Sequence, residues 1–367
     1  MVTVVQVVSD TNIGGAGRYL LNYLKYYDRK RYRVIVIVPK DSMLIEFIRP
    51  YEDVTLIEAP FMADKSYDKK CVRFLREKFA EIKPDILHTH ASLSARVAGR
   101  RAKVGCILST RHCIEPPKAG IKNAVAGVLN NRLCDYFIGV ADAVAKNLAE
   151  CGVKPEKIRT VYNGVEPIKA IPLEDIQAEK ERLGIKNYEI VFGVFARIEP
   201  VKGHRYYIKA IRRLVREGYK AKFLIVGDGS LMQEMKDLVK TYQLEEYILF
   251  TGYVKDTTAL LNVIDVNVIS SMSEAMSLSI LEAMSLGKPS IATNAGGNGE
   301  LVKNNQSGLL VGSGDSASLS DAMIKLIEDN ELYQVLAQNA KKEYEEKFTA
   351  RRMVDNLEHL YEEVLQK

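Results

Sequence analysis

The chain has 367 residues, 47% of them hydrophobic and 27% charged, an ordinary globular composition with length enough for two domains. Its net charge of +5 hides an asymmetry. Residues 1–165 hold 27 Lys and Arg against 17 Asp and Glu, and the remainder holds 25 against 30, so the halves are expected to meet different partners unless the charge serves solubility alone. No apolar run is long enough to span a membrane, and five scattered cysteines (71, 106, 113, 134 and 151) with no C-x-x-C pair argue against a disulfide framework or a zinc site.

The opening run Val2 to Val8 lacks the basic flank and cleavage site of a secretory signal, so it reads as a first buried strand and a cytoplasmic location is expected. Further strands are predicted near 32–38, 54–58, 85–89, 105–110, 136–140 and 158–162, with helices between them. The run Val34 to Val38 stops at Pro39, and the segment 67–82 puts Val72, Leu75, Phe79 and Ile82 on one helical face. Asn163-Gly164 and Pro167 supply turn chemistry for a linker. Beyond it, strands near 189–195, 222–227, 247–251, 265–270, 288–293 and 308–311 alternate with helices near 203–218, 230–243, 257–263 and 277–286.

This alternation predicts an α/β protein of two Rossmann-like, doubly wound domains, residues 1–166 and 167–349, with their strand ends facing across a cleft. Residues 350–367 are expected to form a helix returning to the N-terminal domain across the junction, with Met353, Leu357, Leu360, Tyr361 and Leu365 at helical spacing.

The segment Ser273 to Met284 follows a predicted strand and opens a helix, whose unpaired N–H groups suit a phosphate. Glu274 and Glu282, eight residues apart, would lie about 12 Å apart along a helix, letting one carboxylate meet a sugar and the other a ribose. The alternative is a capped helix with one exposed Glu. Arg197 and Lys202, on a loop after another strand, are suited to converge on a diphosphate, though a solvated basic loop has the same composition. Gly14-Gly15-Ala16-Gly17 and Gly227-Asp228-Gly229 allow close backbone approach, yet neither completes G-x-G-x-x-G. His88 and His90 alternate along one strand without an evident third metal ligand, and His112 ends the next.

In order along the chain, these motifs resemble family four, or group one, of the retaining glycosyltransferases, which have the GT-B fold. The likeness rests on Arg197-x-x-x-x-Lys202-Gly203, Glu274 and Glu282 with Ala283-Met284, Gly296-Gly297-Asn298-Gly299-Glu300, Ser307-Gly308-Leu309, Tyr162-Asn163-Gly164-Val165 and Phe348-Thr349. The resemblance implies roles for these residues. Glu282 would bind the nucleotide ribose, Glu274 the donor-sugar hydroxyls, and Arg197 and Lys202 the diphosphate. Ser277, Leu278 and Ser279 would offer it backbone N–H groups, Tyr253 and Val254 would line the base, and His112 would stand beside the reacting sugar. Gly15, Gly17 and Gly227 would admit the donor closely. The chain departs from the family pattern at three places: Ala196 replaces a Gly, Met276-Ser277 replaces Phe-Gly, and Gly17-Arg18 stands where many members are acidic.

The implied reaction moves a hexose-type sugar from a nucleoside diphosphate, UDP before GDP, to an acceptor hydroxyl with retention of configuration. No cofactor is expected, and the absence of Asp-x-Asp implies no metal. The expected partners are a nucleotide sugar, a sugar or lipid-linked saccharide acceptor of bacterial surface-glycan synthesis, and an anionic membrane surface. The last would meet two basic faces, one of Arg96, Arg100, Arg101 and Lys103, the other of Lys69, Lys70, Arg73 and Arg76. Nucleic acid is not expected, since these stretches lack interleaved aromatics. A sugar-nucleotide epimerase and a non-catalytic sugar-nucleotide-binding subunit are the alternatives.

Overall fold

The structure, a computed structural model, describes residues 1–60, 62, 67–186 and 189–366. Lys367, the end of the expected terminal helix, lies outside the described residues. The chain divides into two compact units: Met1–Gly164 with the segment from Ala350, and Val165–Thr349.

The first unit is built on β1 (Val2–Val8), β2 (Tyr32–Pro39), β3 (Thr55–Ala59), β4 (Ile86–His90), β5 (Cys106–Arg111), β6 (Tyr136–Gly139) and β7 (Ile158–Thr160). They form one parallel sheet in the order β3-β2-β1-β4-β5-β6-β7. Parallel sheets are covered on both faces, so their strands need no polar alternation. In β2, Val34, Val36 and Val38 enter one core while Ile35 and Ile37 enter the other, beside Val72, Leu75 and Phe79. Those last three lie on the helix Lys69–Ile82, which starts two residues later than expected because the Asp68 carboxylate caps it, accepting from the Cys71 N–H at 2.8 Å.

The helix Ala350–Leu365 completes the other face of this sheet, burying Met353, Val354, Leu357, Leu360, Tyr361 and Val364 with Tyr19, Tyr23 and Val4. Each such burial stabilises by about 1.5–3 kcal/mol. Leu365, expected on that face, is exposed; Val354 and Val364 fill it instead.

The second unit holds β8 (Ile190–Phe195), β9 (Ala221–Val226), β10 (Ile248–Gly252), β11 (Val266–Ile269), β12 (Ser290–Thr293) and β13 (Gly308–Val311), again parallel, in the order β10-β9-β8-β11-β12-β13. The expected helices appear as His204–Arg216, Met232–Thr241, Thr258–Val263 and Leu278–Ser285. Two more, Ser316–Glu328 and Asn330–Glu343, follow β13, capped by Asp315 and Asp329. In each sheet the strand order reverses beside the first strand, at β1/β4 and β8/β11, where doubly wound folds take ligands at the carboxyl ends. Among the described residues no helix is long and apolar enough to cross a membrane.

Candidate active site

In the second unit the chain leaves β8 through Arg197 and turns in a short 3-10 helix, Pro200–Lys202, before Gly203. Gly203 has φ +67, and a Cβ there would sit inside contact distance of the Ser270 carbonyl oxygen. That close approach is fixed by two bonds: Ser270 Oγ donates to the Lys202 carbonyl at 2.9 Å and the Met272 N–H to that of Val201 at 2.7 Å. The Lys202 turn is thus fastened to the end of β11. Lys202 Nζ consequently lies 2.6 Å from Glu274 Oε1, which also accepts from Ser271 Oγ at 2.7 Å. Both charged side chains are mostly buried, so loss of either partner leaves a costly unpaired charge.

Glu274 is not helical. The helix begins at Leu278, with Ser277 as its N-cap, so the expected spacing of the two glutamates along one helix is corrected. Glu282 is buried within that helix, whose first N–H groups receive no side-chain cap. The hydroxyls of Ser277 and Ser279 lie 3.2 Å apart at its start.

Arg197 is exposed on its loop. Gly227, φ +140, uses its missing side chain to pass the Ala196 carbonyl, while its N–H donates to the Gly252 carbonyl at 3.0 Å. Tyr253 is exposed, and Val254 lines a cavity of about 550 Å³ with Thr251 and Leu260. His204 escaped notice in the sequence, where adjacency to Lys202-Gly203 was its only signal. It is buried with both ring nitrogens unpartnered among the described residues. Burial first, then Lys202, pulls its pKa down to about 4.

In the first unit, His88, His90 and His112 stack as a ladder at the ends of β4 and β5, with ring centroids 4.8 and 5.1 Å apart. Its tautomers are assigned from its hydrogen bonds, with the Gln6 amide oriented to donate to Tyr361. His90 Nε2 faces the Gln6 Oε1 acceptor at 3.2 Å and so carries the proton, leaving His90 Nδ1 to accept from His112 Nε2 at 2.8 Å. Gln6 Nε2 donates to the Tyr361 hydroxyl at 2.9 Å, Tyr361 to His88 Nδ1 at 2.6 Å, and His88 Nε2 to Thr110 Oγ1 at 2.6 Å. His112 Nδ1 is left as a lone-pair acceptor with no partner among the described residues. Burial holds His88 and His112 down to about 3 and His90 well below its usual value, so all three rings are neutral near pH 7. Among the described residues no three His, Cys, Asp or Glu side chains assemble a metal site.

The glycine-rich run after β1 is less of a loop than expected, because a helix starts at Gly15 with Gly14 as N-cap. Gly15 is exposed with open space around it, whereas Gly17 is buried and a Cβ there would meet Leu44 at 3.0 Å. The expected basic face near residues 96–103 is also corrected. Arg96 turns inward and is only 8% exposed, donating to Asn130 Oδ1 at 2.9 Å, and Arg100 pairs with Asp135, leaving Arg101 and Lys103 outside.

Two parallel doubly wound units joined in this way define the GT-B architecture. HepE of Anabaena, solved in complex with UDP, has the same fold, with a TM-score of 0.86 at 23% identity over 98% of this chain and all of that one. The model for glycosyl transferases group 1 matches residues 175–343, and that for glycosyltransferase family 4 matches residues 13–168. The Escherichia coli UDP-Gal:alpha-D-GlcNAc-diphosphoundecaprenol alpha-1,3-galactosyltransferase is 31% identical over 80% of this chain and 79% of its own length. The Bacillus anthracis N-acetyl-alpha-D-glucosaminyl L-malate synthase is 28% identical over 86% and 84%. The chain belongs to the group 1 glycosyltransferase family and is a glycosyltransferase; the epimerase and non-catalytic alternatives are not favoured.

Proposed function

We propose that this enzyme transfers a hexose-type sugar from a UDP-sugar to an acceptor hydroxyl with retention of configuration. The observation that carries the reading is the Lys202–Glu274 pair, held at the end of β11 a few residues ahead of an uncapped helix start. In this reading Lys202 and Arg197 neutralise the diphosphate as it departs, and the N–H groups of Leu278 and Ser279 add their dipoles. Glu274, already oriented by Ser271, accepts hydrogen bonds from donor-sugar hydroxyls, and Glu282 from the ribose. His112 presents a neutral imidazole to the sugar, an acceptor of hydrogen bonds rather than a proton source. No metal enters this scheme, because the cationic side chains stabilise the leaving group. The relative from Escherichia coli, named for a UDP-Gal donor and a diphosphoundecaprenol-linked acceptor, supports UDP and a lipid-linked saccharide of surface-glycan synthesis.

The enzyme is then placed in the cytoplasm, at the membrane face where its exposed basic residues Lys69, Lys70, Arg73, Arg76, Arg101 and Lys103 meet anionic lipid. Thermal stabilisation against UDP-, GDP- and ADP-sugars tests the donor. A shift specific to one UDP-sugar is expected, through binding linkage. No shift with any of them would remove the reading of the Lys202–Glu274 site.

A further inference from the structure

The first unit carries a second polar feature, separate from the histidine ladder. A cavity of about 190 Å³ opens between β4, β5, the helix Leu93–Arg101 and the helix Ile121–Leu133, roomy enough for an anion rather than a single water. Arg96 and Arg111 both line it. Arg96 Nε and Arg111 Nη1 are buried and have no hydrogen-bond partner among the described residues. Buried guanidinium N–H groups without acceptors are costly, and an anion is what satisfies them. Burial itself pulls Arg96 below the ordinary guanidinium range. The carboxylate that partly offsets the two arginines is Glu115, which is exposed and 3.7 Å from Arg111 Nη2. Lys118 adds a third cation at the rim. Ala91, also lining the cavity, has φ +65, a conformation that strains any residue with a Cβ and that clusters at ligand sites.

The helix Ile121–Leu133 that walls this cavity is inverted. Its small and polar side faces the protein: Gly127 approaches Gly152 so closely that a Cβ would lie 2.6 Å from the Gly152 carbonyl oxygen, and Asn131 donates to both glycine carbonyls. Its opposite side exposes Ile121, Val125 and Val128 at 83%, 62% and 57%, together with Leu129. These four fall at i, i+4, i+7 and i+8, one apolar stripe. Leu129 joins the stripe to the cavity, since it lines both.

We propose that this cavity binds the phosphate group of an amphiphilic acceptor, with Arg96 and Arg111 as its anion ligands, and that the acceptor's hydrocarbon chain lies along Ile121, Val125, Val128 and Leu129. The proposal rests on the glycosyltransferase reading and narrows its acceptor to a phosphate-linked lipid. The occupant is a single molecule with an anionic head and an apolar tail, because the buried guanidinium groups and the exposed stripe are continuous through Leu129.

Calorimetric titration of the full chain with farnesyl diphosphate, inorganic diphosphate and farnesol tests it. Each probe is run on the wild type and on an Arg197→Ala/Lys202→Ala background, which removes the diphosphate-binding cations of the second unit. In that background farnesyl diphosphate is expected to bind about tenfold or more tighter than inorganic diphosphate. Arg111→Gln should weaken both by about tenfold. The surface change Val125→Ser/Val128→Ser should erase only the farnesyl advantage. Glu115→Gln should tighten both, an effect that a misfolded variant cannot mimic. Binding that disappears with Arg197→Ala/Lys202→Ala yet ignores Arg111→Gln belongs to the second unit and overturns the proposal. Farnesol binding as tightly as its diphosphate overturns the phosphate assignment. UDP-sugar titration of the wild type reads the donor site separately: failure there with Arg111-dependent farnesyl diphosphate binding refutes the donor, not the cavity.

Discussion

The histidine ladder of the first unit and the Lys202–Glu274 pair of the second handle burial in opposite ways. The first unit buries His88 and His90 and half-buries His112 as neutral rings, joined into one network with Gln6, Thr110 and Tyr361. The second keeps its charges, pairing Lys202 with Glu274 where both still touch solvent. A neutral ladder is rigid and indifferent to salt, and its enemy is the proton. A mostly buried ion pair that keeps an edge to solvent can exchange partners when a charged ligand arrives. The first arrangement is suited to holding a surface in shape, the second to meeting a charged ligand.

Acid should break this symmetry of architecture most severely. Each ladder histidine has a folded pKa below the unfolded 6.5, so it binds protons better when unfolded. Its contribution is complete above pH 6.5 and is lost as pH falls toward about 3 for His88 and His112. The second unit has one such group, His204, lowered to about 4. Between pH 6.5 and about 5, where most carboxylates remain ionised, the first unit should lose stability more steeply. Hydrogen exchange followed unit by unit would show this, and parallel loss in both units would contradict it.

Next in size is Lys202→Ala, expected to lower turnover by about 100-fold or more with the fold retained, as removal of a charge stabiliser does. Turnover near the wild-type value would take Lys202 out of the chemistry. Gly203→Ala should then destabilise the second unit by about 3 kcal/mol, through its positive φ and the Ser270 carbonyl. A melting curve in which only the second unit shifts would sharpen the contrast; an unchanged curve would deny that the turn is fastened to β11.

The strands were largely legible because parallel strands advertise themselves. The apolar run from Val34 to Val38 ending at Pro39 became β2. Lys202 and Glu274 were each visible as charged residues after strands, but their contact spans 72 positions and exists only through the close approach at Gly203. The alternation of His88 and His90 revealed one face of one strand. That His112 joins them follows from β4–β5 register, in which His90 pairs with Thr110, and that Tyr361 closes the network follows from a helix 273 residues beyond His88. Arg96 misled because it lies in a basic stretch. Its inward turn depends on Asn130 and Phe137, distant partners that helical spacing alone does not reveal.

The division of the chain also sets an order of assembly. Val165–Thr349 is one continuous stretch, whereas the first unit is interrupted by it and takes its last core helix from Ala350–Leu365. The two crossings lie side by side, with the Val165 N–H donating to the Phe348 carbonyl at 3.1 Å. On the ribosome, the half synthesised first must therefore wait. One face of its sheet stays incompletely covered, and the hydroxyl of Tyr361 is missing from His88, until after the other half has been made. A growing chain thus carries an unfinished apolar surface until its last helix, Ala350–Leu365, is made.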